Sequence, residues 1–445
     1  MRWIGICRSR KVMKKILQSV IGWVHGSVSN SKKSGMVWNT VSGIVSTGQT
    51  AVVLFFISFK REPNIAGIVS IGFATANLFG SVCRYGVRNY QATDSREKFS
   101  FSDYFYARCL TVFLSCMLFF GYTGYLAACR HTAAEKIMVM IQITLLKLID
   151  AWEDVYIGRC QQVGRLDIGA KILSVRLLVS TACICMLLWI GANTVISFFG
   201  GVFVSFILVC FFIPNTARQV NAGISTMDKE KIRCILKNCM PLCAGTTLSV
   251  YIGNLPKYMI DAYSNEGTQA VFAYIMMPVF AVTLLNQFLY QPKVKDIGDL
   301  WRNPRPERFF VYVLRQCVMI AVLTVVSVGA GWWVGLPILS VLYHVDLTHV
   351  RTEFAVLLLG GGFYALAGFL HIPITVLRRQ GFLAAGYTCA VLVSFLTGKL
   401  LVTKLGLLGA AWLYCSLNAW LSLLYFAVFL LSVKKLRVRK DRKHE

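Results

Sequence analysis

Four ionisable residues, Lys147, Asp150, Glu153 and Asp154, interrupt the apolar stretch 136–157. At mid-depth in hydrocarbon an ionised side chain costs at least ~2.5–3.5 kcal/mol, so such a run needs a physical reason. Lys147 and Asp150, three residues apart, share a helical face and can pair, and Asp154 follows one turn later. Two arrangements fit. One is a polar face toward a water-filled cavity, suited to coupling an ion through Lys147, Asp150 and Asp154. The other is a self-neutralised pair followed by carboxylates that emerge among the inner headgroups.

Other stretches carry polar groups at helical spacing. Asn39, Ser42, Ser46, Gln49 and Thr50 form a stripe through 36–58, with Gly43 and Gly48 beside it. A stripe of this kind lines an aqueous path or lets two helices approach closely. At the inner end of 65–83 stand Arg84, Arg88, Asn89, Gln91 and Asp94. The arginine fork matches phosphate oxygens, which suits an anionic lipid headgroup, although snorkelling arginines produce the same pattern. In 239–260, Pro256 sits between Asn254 and Lys257, where a proline frees a carbonyl and bends the helix. Lys257 then serves a site or pairs with Asp261 at i+4. His371, two residues before Pro373, carries a proton near neutral pH only if it is not simply packed. Lys399 is placed to snorkel outward.

The composition fixes the medium that these groups live in. Of 445 residues 56% are apolar and 15% charged, against about 25% charged in soluble domains. Mean hydropathy is +0.61. Apolar runs recur along nearly the whole chain, which excludes ordinary soluble folds and predicts a multi-pass protein embedded in a lipid bilayer. The net charge of +26 would suggest nucleic acid in a soluble protein, but here the cations follow membrane topology. Most of the fifteen cysteines lie in apolar runs, and no C-x-x-C pair or cysteine–histidine set suggests a metal or a disulfide. No residue set suggests a cofactor or a catalytic centre.

About twelve spans of roughly 20 residues are predicted, at 36–58, 65–83, 104–127, 136–157, 171–191, 194–213, 239–260, 268–290, 309–333, 354–376, 383–403 and 409–433. The segment 334–350 is too short and polar to span. With both termini cytoplasmic, 37 of the 46 lysines and arginines fall in inner segments or toward the inner ends of spans, eight outside or toward the outer ends, and Lys147 deep within a span. The predicted fold class is an all-α integral membrane protein of two six-helix bundles, 34–213 and 239–433. They are joined by a cytoplasmic connection, 214–238, and flanked by a basic segment, 1–33, and a basic tail, 434–445. Equal halves that both start inside suggest a parallel duplication. Met13 to His25 reads as a basic amphipathic helix on the inner surface, or as a leader before a start at Met13.

The stretch Arg84-Tyr-Gly-Val-Arg-Asn-Tyr-Gln-Ala-Thr-Asp94, with Tyr104 and Arg108, resembles the inner loop of bacterial oligosaccharide flippases. So do Glu153-Asp-Val-Tyr-Ile-Gly-Arg-Cys-Gln161, Gly164-Arg-Leu-Asp167, Leu255-Pro-Lys-Tyr-Met-Ile-Asp261, and Met277-Pro278 followed by Gln291-Pro292. In this order, from about Lys33 to Lys434, the chain is similar to the O-antigen-type polysaccharide transporters of the MATE-like superfamily of drug and oligosaccharidyl-lipid exporters. The resemblance implies a MATE-like fold with a cation-lined cavity, in the bacterial cytoplasmic (inner) membrane. It implies as substrate an undecaprenyl-pyrophosphate-linked oligosaccharide, moved from inner to outer leaflet for surface polysaccharide or lipopolysaccharide biosynthesis. Polysaccharide-assembly proteins, and a proton or sodium as coupling ion, are the partners expected with it.

Under that resemblance Arg84, Arg88 and Lys257 become candidates for pyrophosphate, and Asn39, Gln49 and Asn254 for sugar hydroxyls. Two other functions fit less well. A cation-coupled multidrug antiporter of the same superfamily would use the aromatic density. A membrane polysaccharide polymerase or ligase would need an outer catalytic loop, and the best candidate, with His344, Asp346, His349 and Arg351, offers no nucleophile or metal set.

Overall fold

The computed structural model describes residues 19, 22–24, 26, 31–60, 62–94, 96–290, 306–377 and 379–441, and no strand occurs among them. The N-terminal half runs α1 (Ser31–Ser58), α2 (Pro63–Arg84), α3 (Val87–Thr93), α4 (Phe101–Arg130), α5 (Ala134–Gln162), α6 (Leu166–Trp189) and α7 (Thr194–Gln219). The C-terminal half continues with α8 (Lys229–Tyr263), α9 (Glu266–Tyr290), α10 (Pro306–Ala330), α11 (Leu336–Tyr343), α12 (Arg351–Val376) and α13 (Gln380–Asp441).

Local signals set the helix ends. Ser100 and Asp103 form a reciprocal capping box that starts α4, and His131 closes it in the left-handed region at φ 48°. The lipid-facing side is legible from exposure. On α4, Leu110, Phe113, Leu114, Met117 and Leu118 are all exposed, a contiguous apolar face that no water-soluble monomer presents. By length and apolarity, eight described helices can cross a membrane, one of them Gly381–Val433, which takes in both of the last two predicted spans. The helix α5 is not one of the eight, because its 29 residues include Lys147, Asp150, Glu153 and Asp154.

Several boundaries differ from the sequence expectation. The connection predicted at 214–238 is much shorter, since α7 runs on through Pro214 to Gln219 and α8 starts at Lys229. The segment 334–350 does not leave the preceding helix at once. A π-helical turn, Gly331–Gly335, carries α10 into α11, and a Cβ would strike Leu358 at Gly331 and Phe354 at Gly335. The predicted spans 383–403 and 409–433 correspond to two helical stretches of α13 that meet at a kink at Gly406, with φ 55° and ψ −126°. Of the amino-terminal segment, Gly22 to Val24 are helical, and Val24 and one side of Trp23 meet the rest of the protein. Val24 is fully buried, and Trp23 meets Trp38 edge-on at 5.3 Å, with Lys171 Nζ 5.1 Å from its ring centre. Arg61, Gln291, Pro292 and most of 1–30 lie outside the described residues.

The chain forms two compact units, residues 1–53 with 75–243, and 54–74 with 244–445. Phe99, Phe101, Tyr104, Tyr156 and Phe212 anchor the core of the first. Phe309, Phe369, Tyr387, Tyr425 and Phe429 anchor the second. There α12 approaches three neighbours at once through consecutive glycines. A Cβ at Gly360 would strike Tyr414 of α13, one at Gly361 Val279 of α9, and one at Gly362 Thr324 of α10. Overpacking a site of this kind costs typically 1–3 kcal/mol. Gly362→Leu is therefore expected to lower the melting temperature of the detergent-solubilised protein by several degrees, while Gly381→Leu, in open space, leaves it unchanged. Equal melting of the two variants would contradict the close approach.

Candidate functional site

The chemistry-bearing residues of the first unit meet on α5. Arg176, from α6, is about 1% exposed and donates from Nη2 to Asp150 Oδ1 at 2.6 Å, from Nε to Glu153 Oε2 at 2.7 Å, and from Nη1 to Ser205 Oγ on α7 at 2.8 Å. Asp150 also faces Lys147, whose Nζ lies 3.3 Å from Oδ2 and donates to Gln49 Oε1 at 3.0 Å. The other end of Gln49 donates to Thr181 Oγ1 at 3.0 Å, so α1, α5 and α6 share one chain of bonds.

One turn further, Asp154 accepts from two arginines. Arg108, fully buried on α4, donates from Nη2 to Oδ2 at 3.0 Å and from Nη1 to the Cys83 carbonyl at 2.7 Å. Arg88, on α3, reaches Oδ1 at 3.2 Å from Nη1, and its other nitrogens reach Asn39 Oδ1 and Gln161 Oε1 at 3.4 Å. Backbone geometry makes this possible. Tyr85 and Gly86 have φ of 50° and 72°, which breaks the chain between α2 and α3 and turns Arg88 toward α5. Asp94 caps the same corner, accepting from Tyr104 Oη at 2.9 Å and from the Phe99 amide at 3.1 Å.

The pairing of Lys147 with Asp150 is thus formed. Glu153 and Asp154 do not emerge among headgroups; they are 2% and 8% exposed and lie in ion pairs with arginines. Arg88, Asn39 and Asp154 come together, as do Lys147, Gln49 and Asp150. Arg84 ends α2 with Nε donating to the Gly80 carbonyl at 3.3 Å, and no described carboxylate lies within salt-bridge distance of it. In the second unit, Asn254 is turned back on α8, donating to the Val250 carbonyl at 3.0 Å. Lys257 is 3% exposed, with Nζ 5.9 Å from the Phe280 ring centre and no described carboxylate within salt-bridge distance.

Arg176 and Ser205 are absent from the sequence-based candidates, and Arg108 enters there only through a motif. A signal exists for both arginines: each stands within a predicted apolar span, where the cost of hydrocarbon demands a partner as firmly as it does for Lys147. No group of three or more metal-binding side chains occurs among the described residues.

No protein-family model matches the sequence, and no curated protein matches it significantly. Solved structures do match. An outward-facing multidrug resistance MATE-family transporter of the MOP superfamily aligns with a TM-score of 0.58 at 12% identity, over 94% of this chain and 98% of that chain. An inward-facing conformation of the same description gives 0.54 at 13% identity, over 96% and 99%. A MOP-superfamily transporter from Pyrococcus furiosus gives 0.54 at 12% identity, over 94% and 98%. The protein is an all-helical, multi-pass membrane protein, and its fold is that of the MATE transporters.

Removing one partner of a buried ion pair strands the other and costs about 3–5 kcal/mol. Arg176→Gln is expected to lower stability on that scale, whereas Arg84→Gln, exposed and without a salt-bridge partner among the described residues, stays within about 0.5 kcal/mol of the parent protein. Chemical denaturation in detergent, followed by near-ultraviolet circular dichroism, compares the two. Similar losses would contradict the division into structural and available arginines.

Proposed function

We propose that this protein is a secondary transporter. It flips undecaprenyl-pyrophosphate-linked oligosaccharide units from the inner to the outer leaflet of the bacterial cytoplasmic membrane, by alternating access, for surface polysaccharide assembly. Twelve spans in two six-helix bundles, 34–213 and 239–433, with both termini cytoplasmic, belong to the same proposal.

The observation that carries it is a surplus of positive charge over the carboxylates that face it, held mostly on buried groups and in part on the exposed Arg84. On the α5 network Lys147, Arg88, Arg108 and Arg176 face Asp150, Glu153 and Asp154, four cations to three carboxylates. Arg84 and Lys257 add positive charge with no described carboxylate beside them. A pyrophosphate supplies the missing anion and offers the oxygens that an arginine fork fits. Arg84, Arg88 and Lys257 are the proposed pyrophosphate contacts, and Asn39 and Asn254 contacts for sugar hydroxyls. Gln49 joins them only by releasing Lys147 or Thr181, since both ends of its amide are engaged. A proton or sodium ion arriving at Asp150 or Asp154 competes with Lys147 and the arginines, which is how these residues would couple an ion to the cycle.

A second reading, a cation-coupled multidrug antiporter, is favoured by the description of two solved neighbours as multidrug resistance transporters. Against it stands the sign of the surplus charge, which repels the organic cations that an acidic pocket attracts. The Pyrococcus furiosus neighbour is itself described as having a binding pocket of reverse polarity, suggesting a different function.

Flipping is measured as leaflet accessibility of a labelled undecaprenyl-pyrophosphate oligosaccharide in proteoliposomes. A hydrogen bond to a charged group contributes about 1.5–3 kcal/mol. Arg84→Ala, Arg88→Ala and Lys257→Ala are each expected to slow exposure about 10- to 100-fold at unchanged protein abundance. Wild-type exposure no faster than in empty liposomes, with ion-driven efflux of a cationic dye instead, would transfer the assignment to drug antiport.

A further inference from the structure

The second unit holds a cavity of about 220 Å³ enclosed by α8, α12 and α13. Its polar lining is Ser249, Tyr364, His371, Tyr387 and Asn418, none of them in the proposed pyrophosphate or ion path. For scale, a dry cavity of ~150 Å³ takes one benzene. The space here admits a six-membered ring with substituents.

Its walls narrow the chemistry of an occupant. No carboxylate lines it to hold a metal ion, and no lysine or arginine to hold a phosphate. An apolar molecule would leave the Asn418 carbonyl oxygen without a partner. That lining includes one group already in deficit. Asn418 is 1% exposed, and its Nδ2 donates to the Tyr414 carbonyl at 2.8 Å, while Oδ1 has no partner. Opposite it, Tyr387 Oη and His371 Nε2 lie 3.0 Å apart. The His371 ring is wedged edge-on between Tyr387 and Tyr425, at centroid distances of 5.5 and 5.2 Å. Tyr425 donates to the Leu383 carbonyl at 3.0 Å, which locks this aromatic corner. A ring face thus meets fixed aromatic surface, and hydroxyl groups meet an unpaired acceptor and the hydroxyl-bearing Ser249, Tyr364 and Tyr387.

We propose that this cavity binds a neutral hexopyranose ring, with Asn418 Oδ1 accepting from a sugar hydroxyl. The inference rests on the flipping assignment only for what the ring belongs to, the glycan of the lipid-linked substrate. Binding itself is a property of the cavity.

The test uses the purified full-length protein in an amine-oxide detergent, because glycoside detergents would compete. Equilibrium dialysis with radiolabelled methyl α-D-glucopyranoside and methyl α-D-galactopyranoside is expected to give saturable binding of one ring per chain for at least one probe. Asn418→Leu should weaken it about tenfold. Ser249→Leu, which fills the space from α8, should abolish it. Normal elution and melting of Ser249→Leu keep the result decisive even if Asn418→Leu fails to fold. Cyclohexanol, a ring with a single hydroxyl, should not displace the sugar, since a site built for hydroxyl groups rejects analogues that lack them. Absence of saturable binding to either probe, binding retained by Ser249→Leu, or displacement by cyclohexanol overturns the proposal. Wild-type protein that flips the lipid-linked substrate but binds no pyranoside would end this inference and leave the transport assignment standing. Pyranoside binding without flipping would do the reverse.

Discussion

Arg176 has almost no access to water and touches two carboxylates of α5 and a hydroxyl of α7. Inside an apolar bundle such a group cannot be left over, because an isolated ionised side chain there is far costlier than at any soluble surface. Its partners are equally bound, since Asp150 and Glu153 would be stranded without it. The arrangement therefore fixes register. A slide of α6 along α5 by one turn would separate Arg176 from both carboxylates, whereas exchange of one apolar contact for another costs little in a medium already rich in apolar contacts. The same logic ties α4 and α3 to α5 through Asp154, and α1 through Lys147 and Gln49. One polar helix thus organises six others without relying on the hydrophobic effect, which is weak between helices in lipid.

Not all the cations are bound with the same tightness, and the proposed function draws on that difference. Arg108 and Arg176 are sealed: Arg176 bonds fixed acceptors through Nε, Nη1 and Nη2, and Arg108 does so through Nη1 and Nη2, its buried Nε having no partner. Arg88 is looser, with a side chain 21% exposed and two of its three contacts at the long limit of 3.4 Å. Arg84 is exposed and bonds only a backbone carbonyl among the described residues. A gradient from saturated to available donors over one helical corner suits a group that must be captured and then released, because transport needs binding that the next conformation can break.

How much of this was legible in the sequence follows from what each signal measures. Apolar length located the helices to within a few residues, since burial of backbone polar groups in lipid leaves no alternative to a helix. It did not set the helix ends, because α7 runs on past Pro214 to Gln219 and a π turn carries α10 past Gly331. The i, i+3 spacing found the Lys147–Asp150 pair, a local contact. The partners of Glu153 and Asp154 stand 23 and 46 positions away in sequence, where spacing is silent and only the demand for neutrality speaks. The tyrosine–histidine corner of the second unit had no periodic signature at all. His371, Tyr387 and Asn418 come from segments that composition describes alike.

The two units differ in how they handle buried polarity. Among the described residues, buried charged side chains belong to the first unit with the single exception of Lys257. The second unit instead buries hydroxyls, amides and an imidazole, and closes its helices through Gly360, Gly361 and Gly362. A substrate with an anionic end and a neutral, hydroxyl-rich end presents the same division. Charge recognition by arginine tolerates shifts in position, since a field falls off gradually. Recognition of hydroxyls does not, because a hydrogen bond weakens steeply with angle. On the proposed function, close packing of the second unit around His371 and Tyr387 would suit the reading of sugar hydroxyls, and the looser arginine corner of the first would suit a pyrophosphate.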